Sequence, residues 1–335
     1  MNPSGPGPAA FSAPQRVATQ VRAPLRAGTR GSPLALVQTR MFLRVLAETY
    51  PAPPSLDAFK EHVIATTGDA VQDRPLADIG GKGLFAKEIH EALLDRRIDC
   101  AVHSLKDLET ELPAGIVLGC VLQREDARDV LILAEARLPP DPSDPFSVLP
   151  QGALIGTASV RRQAQLLHAR PDLRMATIRG NVQTRLRKLR GGACEATMLA
   201  LAGLRRLGMK LPGAMILDPD VMLPSAGQGI VGVTLRADDH ALRDLLAAVE
   251  DPEARAAAAA ERAMLATLDG SCRTPIGGHA RLLPDGRLTL TGLVARADGS
   301  FLLKRSLDGA PADAARLGQA LGESLRADAP ADLFG

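Results

Sequence analysis

Aromatic residues and cysteines are scarce in this chain of 335 residues. It has no Trp, one Tyr and seven Phe, so it lacks the aromatic surfaces on which proteins stack single-stranded nucleic acid. Its four cysteines form no C-x-x-C pair, and their spacing fits no metal knuckle. So few thiols in so long a chain are typical of a reduced, cytoplasmic protein, and we expect no metal site.

The chain also lacks a charge excess and a long apolar run. With 40 basic and 38 acidic residues its net charge is +2, whereas a general nucleic-acid-binding protein shows a marked basic excess. No apolar stretch is long enough to span a bilayer. We therefore expect neither a nucleic-acid nor a membrane partner.

Residues 1–24 are rich in Pro, Gly and Ala and contain two arginines but no acid. That composition is weakly similar to a transit peptide. Because prolines break the amphipathic helix that such a peptide needs, we expect a disordered tail instead.

Helical and strand patterns alternate from Leu25 onward, which predicts sheets of parallel strands covered by helices on both faces. A predicted helix at Val160–Ala169, for example, lies between predicted strands at Ala153–Thr157 and Arg174–Ile178. After Asp251 an alanine-rich helix, three strands, the first of them at Arg281–Leu283, and a final helix follow. The predicted fold class is α/β, with two doubly wound domains and a small α+β domain at the C-terminus.

Basic and hydroxyl side chains recur where predicted strands end, in the segments Gly28–Ser32, His103–Asp107, Thr157–Arg162 and Ile178–Asn181. Ligands of doubly wound sheets bind at these strand ends, and helix N-termini and arginines both favour anions. The pattern predicts a cleft for a substrate with several carboxylates or phosphates. For any single arginine, an ordinary surface salt bridge is the alternative.

Two glycine-rich loops carry candidate functional residues. In Gly80-Gly81-Lys82-Gly83 the lysine is followed by Gly, so the loop is no phosphate-binding P-loop; it either presents Lys82 to the cleft or forms a plain turn. Cys272 lies in a second such loop beside Arg273, which favours the thiolate. Cys272 is therefore a candidate nucleophile or attachment point, with a buried structural thiol as the alternative.

Eight segments resemble those of the porphobilinogen deaminases (hydroxymethylbilane synthases) in order and spacing, and the resemblance covers Leu25 to the C-terminus. The segments are Thr29–Leu36, Gly80–Phe85, Ala101–Asp107, Gly156–Gln163, Ile178–Leu186, Leu201–Gly208, Leu223–Gly229 and Gly270–Gly277.

The resemblance implies a transferase of tetrapyrrole and heme biosynthesis. Such an enzyme joins four porphobilinogen molecules head to tail, releases ammonia at each step and yields hydroxymethylbilane. The chain grows on a dipyrromethane cofactor, which the motif match implies is held through a thioether to Cys272. The resemblance further implies a cytoplasmic monomer.

The motif match also carries over the family's site residues. Asp107 matches the catalytic aspartate. The cofactor contacts match Lys82, Ser104, Lys106, Asp107, Ser159, Arg161, Arg162 and Arg179, together with Cys272. The substrate contacts match Arg30, Ser32, Arg179, Arg185 and Arg206. Each porphobilinogen carries two carboxylates, so a growing chain needs many cationic partners, and a carboxylate at Asp107 would stabilise the cation left by departing ammonia.

The alternation of elements and the resemblance together predict four segments: a tail at 1–24, a first domain at 25–123 with a return segment at 230–247, a second domain at 126–223, and a third at 251–335. The first two are expected to be similar to two-domain solute-binding proteins.

Two departures from the family pattern make contacts near them harder to predict: Leu108-Glu109-Thr110-Glu111 follows the catalytic aspartate where Val-Pro is usual, and Ala158 replaces a usual Ser. Two alternative functions stay open on the residues alone, a non-enzymatic anion-binding module and a nucleic-acid-binding protein.

Overall fold

A computed structural model describes residues 24–49, 59–70, 84–135, 141, 144–268 and 274–334. The tail predicted for residues 1–24, except its last residue, lies outside the described residues. The same holds for Lys82 and Cys272.

The strands within these described ranges, numbered in chain order, form three sheets. They are β1 Leu25–Arg30, β2 Phe59–Ile64, β3 Cys100–Ser104, β4 Ile116–Val121, β5 Asp129–Leu133, β6 Leu154–Gly156, β7 Arg174–Ala176, β8 Ala196–Ala200, β9 Met215–Ile216, β10 Val231–Arg236, β11 Ile276–Leu282, β12 Leu288–Ala295 and β13 Leu302–Gly309.

The α-helices lie on the faces of these sheets and are referred to by their bounds. They are Pro33–Thr49, Thr67–Ala70, Lys87–Leu94, Val160–Ala169, Val182–Arg190, Leu201–Arg206, His240–Ala247, Pro252–Thr267 and Ala314–Asp328. Short 3₁₀ turns occur at Leu105–Asp107, Pro311–Asp313 and Ala331–Leu333.

The first two sheets are mixed rather than parallel, which corrects the prediction from the alternating pattern. The first sheet has the order β2-β1-β3-β10-β4, and β10 runs antiparallel to both of its neighbours. The second has the order β7-β6-β8-β5-β9, with β5 antiparallel to β8 and β9. Each antiparallel strand enters directly from the other sheet, without the long crossover connection that a parallel neighbour requires.

The chain passes from the first sheet to the second between Val121 and Asp129. Strand β5 already belongs to the second sheet. Strand β5 was not predicted, since an acid at its start and a short apolar run give no periodic signal.

The third sheet, β11-β12-β13, is antiparallel and packs against the helices Pro252–Thr267 and Ala314–Asp328. Its first strand starts at Ile276, five residues before the predicted start at Arg281. The sequence misleads because Gly277-Gly278 suggests a loop. A Cβ at Gly278 would lie 2.6 Å from Met264 Cε, so the close approach of the helix, not a turn, requires glycine there.

Each sheet has its own apolar core. Phe42 and Leu46 are fully buried against the first sheet, Ile155 and Leu166 against the second, and Leu290 and Leu321 in the third unit. The predicted fold class, two α/β domains followed by a small α+β domain, is confirmed. The residue boundaries given for the domains stay a prediction.

Candidate active site

A pocket opens at the carboxyl ends of β1 and β3 in the first sheet. Arg30 ends β1, Ser104 ends β3, and Asp107 ends the 3₁₀ turn that follows β3. The structure thus brings four predicted site residues together around one pocket, namely Arg30, Ser32, Ser104 and Asp107. Gln38 and Phe85 line the same pocket and were not predicted as site residues.

Arg30 is held on two sides inside this pocket. Its Nε and Nη2 donate to the Asp69 carboxylate at 3.0 and 2.5 Å, and its guanidinium lies 4.0 Å from the centre of the Phe85 ring. Burial alone would lower the pKa of Arg30, but the hydrogen bonds to Asp69 and the charge of Asp107 raise it. Asp69 was missed because it lies far from Arg30 in the sequence.

The two predicted serines that line this pocket have polar partners within the protein. Ser32 Oγ accepts a hydrogen bond from Ala35 N at 3.3 Å, as expected at the start of a helix. Ser104 Oγ accepts from Gln38 Nε2 at 2.9 Å. Gln38 lies on the buried face of the helix Pro33–Thr49, and the spacing of apolar residues there gave no hint of a polar site residue.

Lys106 and Asp107 point to different partners, although they are adjacent. Lys106 Nζ donates to Gln228 Oε1 at 3.2 Å, whereas Asp107 Oδ2 lies 3.8 Å from Arg30 Nη1. The Lys106 side chain reaches solvent, although protein packs around much of it. This loss of hydration lowers the pKa of Lys106 to about 8, while the charge of Asp107 acts to raise it.

Arg161 and Arg162 lie in the first turn of the helix Val160–Ala169, each only 4% exposed. Arg161 Nη2 donates to Asp129 Oδ2 at 2.7 Å, and Arg162 Nη2 donates to Asp129 Oδ1 at 2.8 Å. Burial alone would raise the pKa of Asp129, but the two guanidinium groups hold it well below its usual range. Asp129 is a site residue that the sequence analysis missed.

This buried cluster carries more positive than negative charge, since two guanidinium groups share one carboxylate. Among the described residues, the Nε atoms of Arg161 and Arg162 are buried without a hydrogen-bond partner. Ser159 lies at the edge of the cluster and caps the helix, with its Oγ accepting from Arg162 N at 3.4 Å. An anionic ligand at this helix N-terminus would be favoured by the remaining charge.

Three further predicted arginines lie on the second sheet's helices and loops. Arg179 is buried, and its carbonyl accepts from Lys188 Nζ. Arg185 Nε donates to Gly180 O at 2.9 Å; burial and the charge of Arg162 lower the pKa of Arg185 to about 10, while Asp107 opposes that change. Arg206 donates to Gly229 O at 2.6 Å, and burial lowers its pKa.

The described residues contain no group of three or more His, Cys, Asp or Glu side chains arranged to hold a metal ion. None of the helices within the described ranges is long and apolar enough to cross a membrane.

Two family models match the chain. The model described as "porphobilinogen deaminase, dipyromethane cofactor binding domain" matches residues 25–244, and the porphobilinogen deaminase C-terminal domain matches residues 256–327.

Relatives of known name are similar over most of their length. The porphobilinogen deaminase of Paracoccus denitrificans is 50% identical, over 93% of this chain and 96% of its own. The chloroplastic porphobilinogen deaminase of Oryza sativa is 44% identical, over 92% of this chain and 85% of its own.

Solved structures show more distant likenesses. The periplasmic molybdate-binding protein of Azotobacter vinelandii is 12% identical, with a TM-score of 0.37 over 70% of this chain and 96% of its own. A probable extracellular binding protein of an amino-acid ABC transporter from Bacillus subtilis is 9% identical, with a TM-score of 0.40 over 68% of this chain and 90% of its own.

Proposed function

Because this chain belongs to the porphobilinogen deaminase family, we propose that it polymerises porphobilinogen. As a transferase it joins four molecules head to tail, releases ammonia and yields hydroxymethylbilane. One observation carries the proposal beyond the family match. The Asp107 carboxylate lies 3.8 Å from Arg30 at the strand ends of the first sheet. The charge of Asp107 also opposes the lowering of the pKa of Arg185, which lies in the helix Val182–Arg190 beside the second sheet.

The match to the cofactor-binding domain confirms the predicted cofactor class, a dipyrromethane. The described residues fit such a group. A dipyrromethane with acetate and propionate side chains is an anion, and the cluster around Asp129 has one guanidinium charge in excess and two buried Nε atoms that no described residue engages.

We propose that the cofactor carboxylates are bound by Ser104, Lys106, Ser159, Arg161, Arg162 and Arg179, with Lys82 contributing from outside the described residues. When bound, the dipyrromethane supplies the pyrrole carbon to which the first porphobilinogen is joined. The protein's part is to present positive charge in a site whose geometry is set before the ligand arrives.

We propose Cys272 as the attachment point. The other three cysteines are buried, and burial raises the pKa of Cys120 to about 12 and raises those of Cys100 and Cys194. Since the thiolate is the nucleophile, these thiols are poor candidates. Cys272 itself lies outside the described residues, and its assignment depends on the glycine-rich loop and the motif match.

Asp107 is the proposed catalytic residue. Its carboxylate is 37% exposed at the pocket wall, so it can approach a substrate that enters between the two sheets. A fixed negative charge there stabilises the cation that forms on porphobilinogen as ammonia leaves. Substrate carboxylates are proposed to bind Arg30, Ser32, Arg179, Arg185 and Arg206.

We also propose that the enzyme is a cytoplasmic monomer that needs neither nucleic acid nor a membrane. The nearly balanced charge supports the absence of a nucleic-acid partner, and the free thiols of Cys100, Cys120 and Cys194 support the cytoplasm.

The test is to incubate the purified protein with porphobilinogen while ammonia release, product absorbance and intact mass are followed. The expected mass exceeds that of the polypeptide by one dipyrromethane and then rises in steps of one pyrrole unit. A protein of polypeptide mass that releases no ammonia would instead be a non-enzymatic anion-binding module.

A further inference from the structure

Gln228 joins the two halves of the candidate site through a single buried amide. Its Oε1 accepts from Lys106 Nζ at 3.2 Å, next to the proposed catalytic Asp107. Its Nε2 donates to Asp129 Oδ1 at 2.8 Å and to Ala127 O at 2.6 Å. Lys106 belongs to the first sheet's turn and Asp129 to the second sheet, so the side chain spans the boundary between them.

The backbone that carries this amide is fixed by close packing. Gly227 has a φ of +74°, and a Cβ there would lie 2.9 Å from Lys106 N. Leu105 N donates to Ile230 O at 3.0 Å, and Arg124 Nε donates to Gln228 O at 2.9 Å. Gln228, 1% exposed, therefore has little freedom to choose other partners.

We propose that Gln228 is a positioning residue, which holds the Lys106–Asp107 turn at a set distance from the arginine pair on Asp129. The proposal rests on the proposed function, since that distance matters only if cofactor and substrate carboxylates bridge the two groups. An amide suits the position because it accepts on one side, from an ammonium, and donates on the other, to a carboxylate.

Two substitutions separate these roles. Gln228→Met keeps the length but neither accepts nor donates. Gln228→Glu still accepts from Lys106, but it cannot donate to Asp129 and places a second negative charge beside it. The two variants should therefore move the titration of Lys106 in opposite directions.

The measurement is the pH titration of the Lys106 Cε signal in holoenzyme labelled with ¹³C-lysine, assigned by its loss in Lys106→Met. We expect the Lys106 pKa to fall in Gln228→Met, because an acceptor for the charged form is lost. We expect it to rise by about one unit in Gln228→Glu, because a carboxylate is added. Turnover should fall in both, by up to roughly 100-fold if the Lys106–Asp107 turn moves by about 1 Å.

Gln165→Met is the matched control. Gln165 is a buried amide bonded on both sides to the Leu223 backbone, so its loss should lower thermal stability and leave the Lys106 titration unchanged. An unmoved Lys106 pKa in a folded Gln228 variant, or unchanged turnover in folded Gln228→Met, overturns the positioning role. Should Gln228→Glu not fold, Gln228→Met alone decides. Wild-type enzyme that does not consume porphobilinogen would refute the proposed function instead, whatever the titration shows.

Discussion

Arg30 Nη1 lies 3.8 Å from Asp107 Oδ2, while the other two guanidinium nitrogens of Arg30 donate to Asp69. Asp69 thus takes the close, forked interaction, and Asp107 is left with a longer electrostatic contact. Asp107 keeps a cation nearby without being enclosed by it. This arrangement suits a carboxylate whose partner is a charge that develops in the substrate.

Asp107→Asn should lose turnover by roughly 100-fold or more, the effect of removing one preorganised electrostatic group. The variant keeps the shape and can still hydrogen-bond, so it should fold and retain the cofactor mass. Asp107→Glu keeps the charge but moves it, so its turnover should lie between that of the wild-type enzyme and that of Asp107→Asn. The assay is steady-state ammonia release.

The matched control for Asp107→Asn is Asp172→Asn, which removes a carboxylate paired with Arg170 on the surface. It should leave turnover unchanged. A fully active Asp107→Asn enzyme would end the proposal for Asp107.

Arg161→Met should destabilise the protein as well as weaken ligand binding, because Asp129 is fully buried and would keep only Arg162 as a charged partner. Losing one hydrogen bond to a buried, charged carboxylate in this way costs about 1.5–3 kcal/mol. Urea unfolding of the protein without added substrate measures it. A loss below about 1 kcal/mol, the range of surface pairs, would show that the cluster contributes little to stability.

Arg185→Met is expected to behave in the opposite way. Arg185 is half-buried, and its Nε donates to the carbonyl of Gly180 rather than to an acid. The urea midpoint of unfolding should change little. Binding of a carboxylate of the growing pyrrole chain should weaken by about 1.5–3 kcal/mol, as for a lost charged hydrogen bond. The intact mass of the enzyme after reaction with porphobilinogen should show that elongation stalls. If Arg185→Met elongates normally, Arg185 does not bind the substrate carboxylates.

Cys272→Ser should have the mass of the bare polypeptide and no activity. Cys100→Ser should retain the cofactor, because the Cys100 thiol is fully buried within β3 and burial raises its pKa. Peptide mapping of the wild-type adduct is the direct check. An adduct found on Cys100, Cys120 or Cys194 contradicts the assignment.

Stability should fall as the pH is lowered from about 6.5, the ordinary pKa of histidine. Burial lowers the pKa of His103 and of His279 to about 3. The folded state therefore keeps both rings neutral, while the unfolded state takes up protons below pH 6.5. Each histidine contributes a slope of at most about 1.4 kcal/mol per pH unit.

Urea titrations between pH 7 and 5 test this dependence. His103→Gln should reduce the slope by the contribution of one proton. An identical slope in His103→Gln would mean that His103 titrates alike in both states.

Local signals in the sequence were enough to predict some elements. The helix Val160–Ala169 has its predicted bounds, because a serine cap and apolar residues at helical spacing act within a few neighbours. Strand β5 was missed, because its place depends on β8 and β9, which lie far along the chain. Likewise the segment from Gly277 to Gly278 became a strand through packing against a helix.

The sequence alone determined the chemistry available to this protein: arginines and hydroxyls at strand ends, one aspartate after β3, and a cysteine in a glycine-rich loop. Only the tertiary structure decided which charges neutralise one another. Asp129 pairs with Arg161 and Arg162, Asp69 with Arg30, and Gln228 connects the two sides. These partners come from distant segments, and burial, which sets the strength of each pair, exists only once the sheets are assembled.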